Sequence, residues 1–531
     1  MILTFLYGIC SVMMVILLYF NVSRYLHILQ QTFYHLSDFF HSFTISKAYR
    51  IKMYDMILFG LMFFNLFVNH IWLKYGLLIF YGIVEIFSIQ NTLQNKGKEK
   101  KKFNITFRVK VIYTFYFILT ILMFVPFFMI RDITYLSILL SILSIYKVSS
   151  MVLVVFSHLL SLPIIVVENN RYIKEAKRII QDHHDLKVIG ITGSYGKTST
   201  KNIINGILSE KYHTVMTPQS YNTTLGVTKT IRENIKPYTE VFVCEMGASR
   251  VGDIKEICKI VKPDISAITS IGPQHLSTFK KMENIIKEKF EIVKMAKEDS
   301  IAVLNVDNET INHNYLKYTE NKKVLKYSLD SYTDYYVENI QMNENGSSFD
   351  VIIHQERIPI ETKLLGKHNI YNILCAIMIA KYLGMENEEI RRAVKKIKPV
   401  EHRLELKYMG NILTLDDSFN SNPEGSKMAL ECLLTFQDKY KVLVTPGMVE
   451  LGSKEKELNQ KLGEYATKCD FVILVGEKTT MDIKIGMDKK DYQNYIMVES
   501  IHEAFDELTH IKMEHENLIA LIENDLPDCY L

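Results

Sequence analysis

The residues best equipped for chemistry lie in Val188-Ile189-Gly190-Ile191-Thr192-Gly193-Ser194-Tyr195-Gly196-Lys197-Thr198-Ser199-Thr200. A β-branched run leads into small residues, then Gly-Lys-Thr, then a helix-compatible stretch from Lys201 to Leu208. This is the strand–loop–helix layout of a phosphate-binding loop. Glycines let backbone N–H groups approach phosphate oxygens, a helix N-terminus faces the anion, Lys197 supplies positive charge, and the Thr198 hydroxyl can hold Mg²⁺. The spacing reads T-G-x-x-G-K-T rather than GxxxxGK[ST], with Ile191 where the first glycine of that pattern would stand. A glycine-rich turn that merely precedes a helix is the bland alternative, and the agreement of strand, loop and helix signals argues against it. The chain is expected to use ATP or a relative of it.

Two more segments end apolar strand-like runs. Glu245-Met246-Gly247-Ala248 follows Val241–Cys244, and Gly272-Pro273-Gln274-His275-Leu276 follows Ile265–Ile271. Lys289 lies in the charged stretch Lys287-Glu288-Lys289-Phe290-Glu291. Singly each has an ordinary reading: a strand-end Glu caps a helix, a lone His packs or faces solvent, and a Lys in a charged helix is solvated. With the phosphate loop they suggest a metal–nucleotide site, in which Glu245 is a hard oxygen donor for Mg²⁺ beside Thr198. His275 is an unusual Mg²⁺ ligand on grounds of softness, so chemistry alone leaves it unassigned.

The elements that must position these groups alternate. Strands are expected at 188–192, 241–246 and 265–271, with helices from 198, around 253–260 and at 282–296. That alternation predicts a parallel sheet covered by helices on both faces, with ligands at the carboxyl ends of its strands. Strand-like runs fill 324–365, and a helix at 369–383 closes this unit. A second alternating unit begins near Arg403, with strands at 412–415, 442–445, 471–475, 495–498 and 518–521.

Composition breaks near residue 166. Before it the chain is dominated by Phe, Leu, Ile, Met and Tyr in long runs, and after it the composition is that of a soluble α/β protein. Candidate spans are 2–22, 56–70, 73–89, 111–130 and 133–145, with 148–167 as a further span or an interfacial helix. The first run lacks a basic leader and a small-residue cleavage site, so it does not read as a removable signal. Lys96, Lys98, Lys100, Lys101, Lys102, Arg108 and Lys110, against Glu99, make the stretch 95–110 cytoplasmic by the positive-inside rule, as do Arg24, Lys47, Arg50 and Lys52 for an earlier loop. About five crossings, an external N-terminus and cytoplasmic catalytic domains follow, placing the protein in the cell membrane. The stretch 168–181, with Arg171, Lys174, Lys177 and Arg178, reads as a juxtamembrane helix touching anionic lipid or as a solvated linker. The net charge of +3 and the lack of a basic stripe interleaved with aromatics point away from nucleic acid. The seven cysteines are scattered, without CxxC or zinc spacing, and read as reduced buried thiols.

These motifs, taken in order, resemble the Mur ligases, ATP-dependent amide-bond ligases of bacterial cell-wall synthesis, over roughly 186–525. The type that adds D-alanyl-D-alanine is the nearest. The matching stretches are Thr192–Thr198, Ser220–Gly226, Glu245–Ala248, Ile268–Leu276, Lys289–Glu291, Leu304–Asn308, Gly366–Asn372, Arg403–Glu405, Asp416–Pro423 and Gly447–Gly452. The resemblance implies a P-loop central domain (167–400) and a Rossmann-like C-terminal domain (401–531), both α/β, behind an all-α transmembrane domain (1–166). It implies that Thr192, Gly193, Ser194, Tyr195, Gly196, Lys197, Thr198 and Ser199 cradle ATP phosphates. His368, Asn369 and Asn372 match the adenine-side motif, and Arg403 and Asp417 match residues that reach the nucleotide from the C-terminal domain. Thr198 and Glu245 would hold one Mg²⁺. His275 and a carbamylated Lys289 would hold a second. Lys197, Lys289 and His275 are the implied catalytic groups. Asn222, Thr223, Asn420 and Asn422 fall in implied substrate motifs, although Asn at a turn is also common for conformational reasons.

The implied reaction is ligation through an acyl phosphate, adding D-alanyl-D-alanine to a UDP-N-acetylmuramoyl-peptide. Its partners would be a cell-wall peptide precursor, an amino acid or dipeptide, membrane lipids and other cell-wall enzymes. The chain departs from the pattern in four places. A membrane domain stands where the soluble enzymes bind the UDP end, Phe419 occupies a position usually Tyr, Asn459 stands where His is expected, and Leu521–Asp528 replaces a Gly/Ser-rich motif. The competing readings are ligation on a lipid-linked precursor or a poly-γ-glutamate-like polymer, a transport ATPase, and a silent scaffold. No ABC-type signature or Walker-B Asp run supports the transport ATPase, and the intact Gly196-Lys197-Thr198, Glu245, His275 and Lys289 oppose the silent scaffold.

Overall fold

The computed structural model describes residues 2–32, 34–45, 70–95, 103–124, 134–343, 345–419, 422–449, 451–477 and 479–524, with positions 57, 60, 61, 64 and 68. It divides into two compact units, one ending at Asn169 and the other running from Asn170 to Leu526.

The first unit is helical. Ile2–Gln31, Leu36–Ile45, Ile71–Asn95, Phe107–Phe124 and most of Thr134–Asp182 build it. Its core gathers Leu26, Leu29, Phe39, Val109, Ile112 and Val154. Large apolar side chains also point outward, with Trp72 75%, Val167 70% and Phe117 67% exposed. Among the described residues two helices are long and apolar enough to cross a membrane, Trp72–Gln90 and Ser149–Asp182. The expected spans at 73–89 and 148–167 fall on these two. The expected span at 2–22 lies in the helix Ile2–Gln31, several of whose side chains are outside the described residues. Most of 56–70, the end of 111–130 and the start of 133–145 lie outside the described residues, as do Lys47, Arg50, Lys52 and Lys96–Lys102.

The second unit holds two sheets. The larger has strand order β2-β3-β1-β4-β5-β6-β7-β8-β9. Its strands are β1 Lys187–Thr192, β2 Thr214–Met216, β3 Val241–Glu245, β4 Ile265–Ile268, β5 Ile301–Asn305, β6 Lys323–Ser328, β7 Tyr335–Asn343, β8 Gly346–Ile353 and β9 Glu356–Thr362. Strands β1 to β7 pair in parallel, and β7–β9 form an antiparallel meander. The parallel strands read as continuous β-branched runs because helices bury both their faces. One core packs Ile189, Ile191 and Val243 against Ile203, Ile207 and the apolar helix Lys367–Tyr382. The other packs Val188, Phe242 and Cys244 against Ile257, Phe290 and Val293. The chain leaves β1 toward β2 and β3 on one side and returns to β4 and β5 on the other. The C-terminal end of β1 is therefore the crevice where an open α/β sheet binds ligand.

The smaller sheet has order β10-β11-β15-β12-β13-β14. Its strands are β10 Glu405–Met409, β11 Ile412–Asp417, β12 Tyr440–Thr445, β13 Phe471–Val475, β14 Tyr495–Val498 and β15 Leu518–Glu523. All pairs are parallel except β10–β11. The free cysteines of both sheets, Cys244, Cys258, Cys375, Cys432 and Cys469, are buried. Burial leads the causes that push these thiols up, to about 12 at Cys258, Cys375, Cys432 and Cys469, so they are packing groups and not nucleophiles.

Candidate active site

The loop between β1 and the helix Lys197–Leu208 is shaped by two glycines. A Cβ on Gly193 would lie 2.1 Å from Thr269 Oγ1. Gly196 has φ 80°, a left-handed backbone that favours glycine. The loop closes around the Lys197 ammonium, which donates to the carbonyls of Gly193 (2.6 Å) and Ser194 (3.1 Å). Burial drives this lysine down to about 8, against an upward pull from Glu245. A phosphate at the helix N-terminus would offer the ammonium a full counter-charge in place of two carbonyls. Ser194 Oγ donates to Gly272 O at 3.0 Å, and the Tyr195 hydroxyl donates to Pro273 O at 3.3 Å. These bonds tie the loop to the segment after β4 that carries His275.

Glu245 ends β3 and is 1% exposed. Its Oε1 accepts from the Thr198 hydroxyl at 3.1 Å and from Asn222 Nδ2 at 3.0 Å. Its Oε2 lies 3.0 Å from Lys201 Nζ, without an aligned hydrogen bond. Burial alone would raise this carboxyl, but Lys201 and Lys197 outweigh it and hold the group ionised. A hydroxyl and an ionised carboxylate side by side at the strand end are the hard oxygen donors Mg²⁺ takes when phosphates and waters complete its shell. The first metal therefore fits Thr198 and Glu245. Among the described residues no three His, Cys, Asp or Glu side chains converge to hold a metal without a nucleotide.

Lys289 is 2% exposed on the helix Met282–Lys294, and among the described residues its ammonium has no hydrogen-bond or ion-pair partner. Burial first, then the charge of Lys197, pulls it well below an ordinary lysine. The neighbouring Glu288 is structural: its carboxylate accepts from the backbone N–H of Gly252 and Ile254, both at 2.7 Å. His275 opens the short helix Leu276–Phe279 with φ 53°.

The remaining expected residues divide. Asn372 Oδ1 accepts from Thr200 at 2.8 Å, holding the phosphate-loop helix to Lys367–Tyr382. Asn369 donates to Leu365 O at 2.8 Å. The buried Nδ1 of His368 has no partner among the described residues, and the ring is pushed down to about 4 by burial and then by Arg403. Arg403 stacks on the Phe419 ring, Cζ 4.6 Å from its centroid, so the phenylalanine replacing tyrosine keeps the aromatic face that the guanidinium uses. Burial first, then Glu523, raises Asp417 to about 7. Thr223 and Asn422 are helix N-caps, accepting from Gly226 N (3.3 Å) and Gly425 N (2.8 Å), which accounts for both by conformation. Asn420 lies outside the described residues.

Asn459 replaces the expected histidine with a clamp. Its Oδ1 accepts from Met448 N at 2.9 Å, and its Nδ2 donates to Met448 O at 2.9 Å and Glu455 O at 3.0 Å. Asn459→Ala leaves the buried Met448 N–H without its acceptor and should lower unfolding free energy by about 2–3 kcal/mol. A urea unfolding midpoint unchanged from wild type would contradict that role.

Two family models match the chain: the Mur ligase middle domain over residues 191–380 and the Mur ligase glutamate ligase domain over residues 402–522. The chain belongs to the Mur ligase family. Its relatives include UDP-N-acetylmuramoyl-tripeptide–D-alanyl-D-alanine ligases from Bacillus subtilis and Escherichia coli. The first is 30% identical over 55% of this chain and 63% of the relative. The second is 29% identical over 60% of this chain and 71% of the relative. Among solved structures, the MurF ligase from Thermotoga maritima in complex with ADP matches with TM-score 0.61 and 26% identity, over 68% of this chain and 81% of that one. The helical unit before Asn170 lies outside both family models. Within this Mur ligase the residue missed by sequence reasoning is Lys201. A lysine one turn after the phosphate-loop lysine reads as solvated, and its burial depends on a carboxylate in another strand.

Proposed function

We propose that this Mur ligase joins the carboxylate of a UDP-N-acetylmuramoyl-tripeptide to the amine of D-alanyl-D-alanine, with ATP driving the bond. The observation that supports it best is the joint presence of the Lys197 loop, the Thr198–Glu245 pair and the buried amine of Lys289 in a chain whose two domains match the family throughout. The peptide carboxylate attacks the γ-phosphorus of ATP, the bond to the bridging oxygen breaks, and ADP leaves. The amine nitrogen then attacks the acyl carbon, inorganic phosphate departs, and the nitrogen loses a proton. Lys197 and the N–H groups of the loop meet the charge that develops on the transferred phosphoryl group. Mg²⁺ held by Thr198 and Glu245 would neutralise phosphate charge. A second ion would rest on His275 and a carbamate of Lys289. Arg403 and Asp417 reach the nucleotide and exclude water from the acyl phosphate. Purified protein given ATP, Mg²⁺ and both substrates should form the pentapeptide product and ADP in equal amounts by mass spectrometry. ATP consumption without a new amide would defeat the proposal.

A second acceptor is favoured by one observation, the outward apolar side chains on the helical unit. A membrane-anchored ligase would meet a lipid-linked precursor, or a neighbouring cell-wall enzyme, at raised effective concentration, with basic residues near Lys110 facing anionic lipid. Deleting residues 1–166 should then leave turnover with the soluble UDP-linked peptide within about twofold, while use of a lipid-linked peptide in membranes falls at least about tenfold. Equal rates for both forms on both acceptors would remove the helices from substrate choice.

A further inference from the structure

We propose that Lys201 makes the metal corner of this site nucleotide-dependent: its buried ammonium cancels the charge of Glu245, so a divalent cation settles there only together with phosphate oxygens. The inference rests on the reading that Thr198 and Glu245 hold the metal of a bound nucleotide, and its test separates the two.

Lys201 follows Lys197 by one turn of the helix Lys197–Leu208, on the face turned to the sheet. It is among the largest fully buried side chains of the protein. Its ammonium donates to the carbonyl of Gln219 and lies 3.0 Å from Glu245 Oε2, with both side chains 1% exposed. On the other side of the carboxylate, Oε1 faces the Thr198 hydroxyl and the Asn222 amide. Glu245 is therefore gripped from behind by a cation and presents one oxygen toward the phosphate loop.

That arrangement has an electrostatic consequence. A carboxylate alone beside a hydroxyl would attract a divalent cation in the absence of nucleotide. Paired with Lys201, the corner carries no net charge, and Lys197 adds a further positive charge nearby. In a buried site such opposing charge is poorly screened. Nucleotide phosphates reverse the balance: they engage Lys197 and bring the negative charge and oxygen ligands that Mg²⁺ prefers. Lys201 is thus a positioning residue that acts through Glu245. It holds the carboxylate aimed while preventing the cation from occupying the corner ahead of the nucleotide.

The test uses the full-length protein and Mn²⁺, with unbound Mn²⁺ measured by electron paramagnetic resonance. Without nucleotide, wild type should bind Mn²⁺ weakly, and Glu245→Gln should change that affinity less than twofold. Lys201→Met should bind Mn²⁺ at least tenfold tighter than wild type without nucleotide, and adding Glu245→Gln to it should abolish the gain. With saturating ADP, wild type should bind Mn²⁺ at least tenfold tighter than without it, and Glu245→Gln should lose most of that increment. A folded Lys201→Met whose nucleotide-free Mn²⁺ affinity is unchanged or weaker overturns the inference, because a purely structural lysine would alter melting and leave metal affinity alone. If Lys201→Met fails to fold, the inference is still overturned by tight nucleotide-free Mn²⁺ binding in wild type that Glu245→Gln removes. Failure of ADP to recruit Mn²⁺ through Glu245 in wild type would instead overturn the metal-site reading itself.

Discussion

Lys197→Ala will reduce ATP-dependent ligation by at least about a thousandfold and leave the protein folded, because transfer of a phosphoryl group relies on positioned positive charge and little else. Lys197 stands at the N-terminus of its helix, and among the described residues its ammonium hydrogen-bonds to carbonyls of its own loop, Gly193 and Ser194. Those bonds contribute on the order of 1 kcal/mol each to the folded state. The cores beneath the loop are built from other residues, Ile189, Ile191, Ile203 and Ile207 among them. Single-turnover formation of ADP from ATP and the acceptor peptide is the readout, with far-UV circular dichroism as the folding control. The same variant should weaken ADP binding, since Lys197 neutralises phosphate charge in the ground state as well. Turnover near wild type would show that the loop does not hold the transferred phosphate.

Much of this was legible in the sequence, and the reason is the parallel sheet. Strands buried on both faces read as apolar β-branched runs, so β1, β3, β12 and β13 stood out with their boundaries nearly right, while β4 begins at Ile265 as expected and ends at Ile268, three residues early. The short strand Thr214–Met216 did not, because three half-buried residues carry no period. Strand Glu405–Met409 is an antiparallel edge with charged positions and no fully buried residue, and so reads as loop. At the site, motifs that end strands pointed to Glu245 and to the loop carrying His275 because topology obliges ligands to sit there. Lys201 was hidden because its pairing is made across the sheet. A charge in a helix looks solvated until the strand beside it supplies a buried carboxylate. Asn422 of the implied substrate motif has a structural role that the turn chemistry already suggested, as the cap of Pro423–Leu434.

Lys289→Ala should lose at least about a hundredfold in ligation rate, with part of the rate returning on addition of a short carboxylic acid such as acetate. The argument begins with burial. A lysine ammonium held inside a protein without a partner is costly, and the fold should discard it unless the group is neutral or modified. Lys289 is buried, has no partner among the described residues, and is pulled well below its ordinary range by burial and by Lys197. A neutral amine in that position can attack carbon dioxide, forming an N–C bond and releasing one proton, which converts a would-be cation into an anionic oxygen ligand. That ligand is what a second Mg²⁺ near His275 would need, because histidine alone suits the ion poorly. Free acetate can supply the oxygens in the space that the alanine leaves. Lys289→Met separates this from packing: methionine keeps the apolar stem and removes the nitrogen, so a lysine needed only for its bulk would be replaced without loss. The expected result is that Lys289→Met is folded, at least as heat-stable as wild type, and as inactive as Lys289→Ala. A carbamate signal in the wild type, read by ¹³C nuclear magnetic resonance after exposure to labelled carbon dioxide, should be missing from both variants. Full activity in either variant would leave Lys289 as a buried packing residue with no part in the reaction.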